Sequence, residues 1–185
     1  SGGGGMSKAV LLSIRPRWCE KICNGEKTVE VRKTRPKLNT PFRAYIYCTL
    51  PKYPHEDFIA TDYPKPQFYG GGKVVGEFMC DEIARVNISG FWDEGGRQLK
   101  NRIADTCLTP IALCEYAGER VCYGWHISDL KIYDAPRELG EFRRVCVNDL
   151  YCESCAMYWK NGGNCGNESL RLKRPPQSWC YVEEM

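Results

Sequence analysis

The chain has 185 residues, of which 43% are hydrophobic and 26% are charged, a composition that allows a folded core and argues against wholesale disorder. The longest early apolar run, Ala9–Leu12, is far shorter than the roughly 20 residues of a transmembrane helix, and no signal-peptide pattern follows it. We therefore expect a cytoplasmic protein without membrane association. Ser1–Gly5 precede Met6 and are interpreted as the remnant of an artificial tag outside the fold.

The net charge of +3 is unevenly distributed along the chain. Residues 6–43 hold ten Lys or Arg and three Glu, whereas the rest of the chain holds 16 basic and 20 acidic residues. A basic segment of this kind indicates an anionic partner such as nucleic acid or a nucleotide. A solvated basic surface would give the same count.

The hydrophobic pattern predicts a mostly β chain. Residues 8–14 are an apolar run typical of a buried strand, and a short helix is predicted from Pro16 to the stop at Asn24-Gly25. Further strands are predicted over residues 27–33, 43–50, 73–86, 121–133 and 178–183.

Few helices separate these strands. Helical periodicity covers residues 93–107, and Thr109-Pro110 begins a second helix that ends at Gly118. Residues 51–72 contain four prolines and are predicted to form an exposed loop. Long strands with few helical crossovers favour an antiparallel sheet or a small barrel.

One group of charged residues lies at the predicted first helix–strand junction, in the pattern Gly25-x-Lys27-x-x-Glu30-x-Arg32. The two-residue period of a strand places Glu30 and Arg32 on one face and Val29 and Val31 on the other. Arginine and lysine suit phosphate, and a carboxylate suits the amino group of a base. The alternative is a ladder of surface salt bridges worth about 0–1 kcal/mol.

This pattern, together with Leu12–Arg15, Trp18 and Ile22, resembles the ASCH domain of the PUA-like superfamily, whose hallmark is GxKxxExR at this junction. Gly124-Trp125 and the run Gln177–Glu183 are similar to ASCH proteins of bacteriophages and prophages. The resemblance implies a small PUA-like β-barrel with flanking short helices over residues 6–145, closed by a strand within residues 176–185.

The resemblance also implies a cleft that binds RNA or a modified nucleotide. The ligand-binding candidates in that cleft are Arg15, Lys27, Thr28, Glu30, Arg32 and Arg35. A second hypothesis is a phage module that binds a host protein.

A third hypothesis is an amidohydrolase that removes an acyl group from a modified cytidine, with Lys27, Glu30 and Glu77 as its catalytic residues. The hydrolytic branch that this chain resembles carries Thr where this chain has Glu30. A lysine nucleophile or base must lose its proton, and a neighbouring carboxylate keeps it charged. The Lys27–Glu30 spacing therefore favours binding over hydrolysis.

Four of the twelve cysteines form the pattern Cys146-x5-Cys152-x2-Cys155-x9-Cys165. A Cys-x-x-Cys knuckle and two further thiolates complete a tetrahedral Zn²⁺ site, so we predict a structural zinc within an insertion over residues 146–175. Cys180 is an alternative to Cys146 as the fourth ligand. A redox Cys-x-x-Cys and uncommitted thiols remain the other interpretations.

The aromatic residues give weaker indications. Trp18 and Trp125 are predicted to belong to the core, and tyrosines of the 51–72 loop, Tyr53, Tyr63 and Tyr69, are candidates for stacking on bases. No role is assigned to His55 or His126.

Overall fold

The computed structural model describes residues 7–50, 71–87, 89–93, 95–99, 102–118, 120–146, 155–163 and 165–185. The elements in chain order are β1 (Lys8–Ile14), α1 (Pro16–Cys23), β2 (Val29–Arg32), β3 (Phe42–Cys48), β4 (Lys73–Cys80), β5 (Ile83–Asn87), β6 (Gly90–Trp92), β7 (Gln98–Leu99), α2 (Pro110–Ala117), β8 (Cys122–His126), β9 (Ser128–Glu138), α3 (Ala156–Lys160) and β10 (Trp179–Glu183). Within those ranges, no helix is long and apolar enough to cross a membrane.

Sheet A has the strand order β10-β1-β3-β4-β9. β1 is parallel to β3, and the other neighbours are antiparallel. Both faces of β1 are buried: Val10 and Leu12 point into the space between the sheets, whereas Ala9 and Leu11 pack under Phe142 and the C-terminal segment. Burial on both faces explains why β1 appears in the sequence as a continuous apolar run.

Sheet B has the strand order β2-β8-β5-β6-β7, and its neighbours are antiparallel. One of its faces contributes Trp125 to the core between the sheets. The opposite face, which includes Val29 and Val31, is covered by Leu113 of α2 and the segment before that helix. The mostly β prediction is therefore confirmed, with two sheets and few helices.

The predicted barrel is not observed, because the two sheets are not closed into one. The apolar stretch 73–86 divides into β4 of sheet A and β5 of sheet B, with the break at Asp81-Glu82. The stretch 121–133 divides in the same way at Ile127. The chain thus changes sheets at two breaks between strands, and each sheet keeps its own edge strands.

The helix predicted over residues 93–107 is also wrong. Gln98–Leu99 instead form β7, which pairs with β6, and a single 3-10 turn covers Ala104–Thr106. Gly96 has a φ of +78°, a left-handed conformation that interrupts a helix and allows the tight turn into β7. Arg143, just before the predicted zinc insertion, forms an antiparallel bridge with Arg171, which lies in the C-terminal part of that insertion.

Candidate functional site

A cleft of about 720 Å³ lies where β1 ends and α1 begins, between the two sheets. Its volume is within the roughly 300–1,000 Å³ that small-molecule sites occupy. The charged residues that line it comprise five cations and two carboxylates: Arg15, Arg17, Lys27, Arg32, Lys33, Glu30 and Glu115. The excess of positive charge suits an anionic ligand.

Helix α1 forms one wall of the cleft. Pro16 occupies its first turn, and Cys19 and Ile22 are buried against the core. The helix therefore presents Arg15 and Trp18 to the cleft. Trp18 packs against the core at the same time, so the prediction of a purely core tryptophan describes only part of its surroundings.

The end of α1 returns the chain to the cleft floor. Gly25 has a φ of +80°, a left-handed conformation that favours glycine, and the backbone N–H of Lys27 then donates to the carbonyl of Lys21 at 2.9 Å. This turn directs the Lys27 side chain inward, where only 2% of it is exposed.

The Lys27 ammonium has three acceptors around it. Its Nζ donates to the carbonyl oxygens of Val29 at 2.9 Å and Thr106 at 2.7 Å, and it lies 3.3 Å from Oε2 of Glu30. An ammonium has three donors and no acceptor, so two hydrogen bonds and one ion pair suit the charged form. A nucleophilic amine would need a lone pair that this arrangement does not leave free.

Glu30 bridges two buried cations. Its Oε2 faces Lys27, and its Oε1 forms an ion pair with Nη2 of Arg32 at 2.9 Å. The carboxylate side chain is only 8% exposed. Each oxygen keeps acceptor capacity beyond these contacts, because a carboxylate offers about four lone-pair sites.

Arg32 connects β2 to sheet A. Its Nη2 also donates to the carbonyl of Ser13 at 2.8 Å, and its Nη1 donates to the carbonyl oxygen and the hydroxyl of Ser178 at 3.2 and 3.3 Å. Its Nε is buried and has no hydrogen-bond partner among the described residues. We call Lys27, Glu30 and Arg32 the buried triad.

The other predicted ligand-binding residues occupy different places. Arg15 lines the cleft, whereas Thr28 and Arg35 are not among the lining residues. The backbone N–H of Thr28 donates to Asp105 and its carbonyl accepts from Ile127, so Thr28 links β2 to two neighbouring segments.

The structure does not bring Glu77 to the cleft. Glu77 lies on β4, where its carboxylate is paired with Arg43 and accepts from the hydroxyl of Tyr133. Burial, followed by this hydrogen bond, raises the pKa of Tyr133. Along β4, Phe78 belongs to the core between the sheets, so the two-residue period directs Glu77 to the opposite face of sheet A. A catalytic set of Lys27, Glu30 and Glu77 is therefore not assembled.

Sequence reasoning missed several lining residues, namely Arg17, Lys33, Glu115, Tyr116, Gln177 and Ser178. Lys33 directly follows Arg32, the last residue of the GxKxxExR signature. Including the residue after the signature would have identified Lys33 as a candidate. Tyr116 comes from α2, and nothing in the local pattern of that helix indicates which strand it faces.

No protein-family model matches the chain, and a search of curated proteins finds no significant match. Solved structures do match. The ASCH protein from Zymomonas mobilis shares 16% identity over 95% of this chain and 88% of its own, with a TM-score of 0.49. Two point mutants of that protein share 17% and 19% identity, over 96% and 95% of this chain and 92% and 89% of theirs, with TM-scores of 0.47 and 0.52.

The chain has the fold of an ASCH protein. The match with a TM-score of 0.52 supports this statement, and at 19% identity it concerns the fold alone.

The thiols near the cleft of this ASCH-like fold are poor candidates for nucleophiles. Burial raises the pKa of Cys19 well above its ordinary value, with the nearby Cys48 adding to the effect. Burial raises the pKa of Cys23 to about 12. A thiol reacts as its thiolate, so both groups are unreactive at neutral pH.

Three of the four predicted zinc ligands are described. Cys146, Cys155 and Cys165 are half-buried and form no disulfide, whereas Cys152 lies outside the described residues. The guanidinium of Arg143 donates to Sγ of Cys165 at 3.1 Å, a contact that suits a sulfur carrying negative charge. Among the residues that the structure describes, no group of three or more His, Cys, Asp or Glu is placed to hold a metal ion.

The tyrosines predicted to stack on bases, Tyr53, Tyr63 and Tyr69, lie outside the described ranges, as does His55.

Proposed function

We propose that the cleft binds an unpaired nucleotide, free or as part of an RNA. The observation that carries this proposal is the arrangement of charge: a buried group of internally paired charges at the floor and exposed cations at the rim. Arg15 and Lys33 line the cleft, are exposed, and have no ion-pair partner among the described residues. Exposed cations of this kind suit the phosphate of the nucleotide.

The floor offers groups that suit a base. The carboxylate of Glu30 retains acceptor capacity, and a base amino group is a matching donor. Arg32 Nε is a buried donor with no described partner, which suits a carbonyl or ring nitrogen of a base. Trp18 and Tyr116 add aromatic surface at the walls, which suits stacking. A nucleotide can use the cations at the rim through its phosphate and the polar and aromatic groups of the cleft through its base.

The buried triad favours binding over hydrolysis. Three acceptor oxygens surround the Nζ of Lys27, and Glu77 is directed to the other face of sheet A. The phage-type assignment rests on the sequence resemblance in Gln177–Glu183 and stays a prediction, as does a host protein partner.

The phosphate-binding role of the two rim cations can be tested by the double substitution Arg15→Ala/Lys33→Ala. We expect affinity for a fluorescein-labelled single-stranded RNA to fall about tenfold, and the slope of log K against log salt to fall by about 0.7 for each lost phosphate contact. Fluorescence polarisation over a salt series measures both. The control Arg85→Ala/Arg120→Ala removes the same charge from exposed positions that do not line the cleft, and its affinity should stay within about twofold.

Three results would contradict this proposal. The first is absence of RNA and nucleotide binding by the unmodified protein at low salt. The second is steady release of acyl groups from an N4-acylated cytidine that is lost in Lys27→Ala, which would support the amidohydrolase. The third is a stable, nuclease-insensitive protein complex that excludes RNA, which would support the interaction module.

We also propose that Cys146, Cys152, Cys155 and Cys165 hold a structural Zn²⁺. The cysteine spacing and the Arg143–Cys165 contact support it. Bound zinc would supply folding energy to a segment whose short helix α3 has no buried residue.

Cys155→Ser is expected to release the metal and to expose residues 146–175 to proteolysis, while the strand pairing of both sheets is retained. Elemental analysis of metal per chain and limited proteolysis followed by mass spectrometry measure these effects. Cys114→Ser is a matched control, because Cys114 is exposed on α2. A metal-free protein whose segment 146–175 resists proteolysis would contradict the zinc site.

A further inference from the structure

Glu115 brings an unpaired carboxylate to the wall of the cleft. The other carboxylate that lines the cleft, Glu30, is paired with both cations of the buried triad. Glu115 is exposed and has no ion-pair or hydrogen-bond partner among the described residues. An ionised carboxylate only accepts hydrogen bonds and repels a phosphate, so Glu115 suits a ligand group that donates a hydrogen bond.

Helix periodicity directs Glu115 to the cleft. Thr109 caps α2 by accepting from the backbone N–H of Ala112 at 3.1 Å, and Leu113 is buried against the face of sheet B that points away from sheet A. Ala112, Glu115 and Tyr116 are three and four residues apart, so they share the face of α2 that lines the cleft. We call these three residues the α2 wall.

Tyr116 holds the α2 wall next to the end of β2. Its hydroxyl is hydrogen-bonded to the backbone of Lys33, and the Nζ of Lys33 lies 5.2 Å from the centre of its ring. Because Glu115 directly precedes Tyr116, an ammonium and a carboxylate lie beside the same tyrosine. This side of the cleft therefore suits a ligand that carries an anionic group and a hydrogen-bond donor close together.

The opposite wall of the cleft carries only positive charge. It consists of Arg15, Arg17 and Trp18, and we call it the α1 wall. Helix α1 packs into the core between the sheets, whereas α2 covers the other face of sheet B, so the two walls lie on either side of β2. The first turn of α1 contains no acidic residue, so the positive end of its helix dipole adds to the charge of the two arginines.

The groups of a ribonucleotide match this division of charge. Its 5′-phosphate suits the α1 wall, and the ribose separates that phosphate from the 2′-hydroxyl. The 2′-hydroxyl is adjacent to the 3′-oxygen, which carries the next phosphate in an RNA. A hydroxyl donor beside a phosphate complements the carboxylate of Glu115 beside the ammonium of Lys33. Carboxylates recognise the ribose 2′-hydroxyl in the same way in dinucleotide-binding folds.

Resting on the proposed function, we infer that Glu115 sets the sugar specificity of the cleft by accepting a hydrogen bond from the 2′-hydroxyl of a ribonucleotide. A 2′-deoxy sugar leaves the carboxylate without this donor while its repulsion of the phosphates remains. The 2′-hydroxyl is the group by which a protein distinguishes RNA from DNA at a given position. The cleft therefore selects ribonucleotides over 2′-deoxyribonucleotides.

The test is Glu115→Gln, measured with two pairs of probes that differ only at the 2′ position. One pair is a fluorescein-labelled RNA of about 12 nucleotides and its 2′-deoxy strand of the same base sequence, measured by fluorescence polarisation. The other pair is the nucleoside 5′-monophosphates and their 2′-deoxy forms, measured by isothermal titration calorimetry.

The unmodified protein should bind the ribose member of a pair about tenfold more tightly than the deoxy member, the effect of one hydrogen bond to a charged group. In Glu115→Gln this ratio should fall to about twofold or less, because the amide is neutral and is a weaker acceptor. Affinity for the deoxy member should not fall, since the substitution removes a negative charge that repels its phosphates.

Glu20→Gln is the matched control, because Glu20 lies on α1 but does not line the cleft. Its ratio should stay within about twofold of that of the unmodified protein. Three results would overturn the role of Glu115 while the cleft proposal stands: equal affinity of the unmodified protein for both members of the pair that binds, an unchanged ratio in Glu115→Gln, or the same loss in Glu20→Gln. Failure of the unmodified protein to bind any of these probes would overturn both proposals.

Discussion

Glu30→Gln is expected to lower the free energy of unfolding by about 3–5 kcal/mol, the range measured when one member of a buried charge group is removed. Glu30 lies between Lys27 and Arg32, and all three side chains are at most 8% exposed. Glutamine has nearly the same shape, but it leaves two buried cations without a counter-charge. Urea denaturation followed by tryptophan fluorescence gives the unfolding free energy.

Glu26→Gln is the matched control for this substitution. Glu26 pairs with Lys21 at 2.7 Å, but both side chains are well exposed, so the same change should cost no more than about 1 kcal/mol. The hydrogen bond to Lys21 lowers the pKa of Glu26. Equal costs for the two variants would show that water reaches the triad and that its burial does not govern stability.

The sequence predicted the triad better than its surroundings. The Gly25 turn predicted the position of Lys27, and the strand period predicted that Glu30 and Arg32 share one face of β2. Their burial was not predictable from the pattern, because it depends on Thr106 and Ser178, which come from distant segments. A charged strand face next to solvent and one covered by another segment have the same local sequence.

The strands predicted over residues 73–86 and 121–133 illustrate the same limit, because each of them is two strands in the structure. Residues 73–86 are mostly apolar because β4 and β5 both contribute to the core between the sheets, although they belong to different sheets. The pattern records burial and contains no information about which sheet provides it. Asp81-Glu82, the polar pair at the break, was the only local indication of the change.

Trp125→Ala is expected to destabilise the protein by about 3–5 kcal/mol, because a buried tryptophan leaves a large cavity that its neighbours refill only in part. Trp125 is fully buried, and its ring lies 5.7 Å from that of Phe42 and 5.9 Å from that of Trp179. Trp159→Ala makes the same change at a side chain that is 66% exposed, and its effect should stay within about 0.5 kcal/mol.

Trp125→Phe separates packing from polarity. The indole N–H of Trp125 is buried without a hydrogen-bond partner among the described residues, so phenylalanine removes an unsatisfied donor while keeping most of the ring. The cost should be about 1–3 kcal/mol, well below that of alanine. A phenylalanine variant as unstable as the alanine variant would show that the N–H has a partner.

The effect of Trp125→Ala should extend to the cleft. Trp125 is the register partner of Glu30 on β8, and it supports Trp179, which follows Ser178. Because Ser178 accepts two hydrogen bonds from Arg32, a loosened Trp179 displaces one anchor of the buried triad. RNA affinity should therefore fall in Trp125→Ala even under conditions where circular dichroism shows it fully folded, whereas Trp159→Ala should bind as tightly as the unmodified protein. Full RNA affinity in a folded Trp125→Ala variant would show that the cleft does not depend on this part of the core.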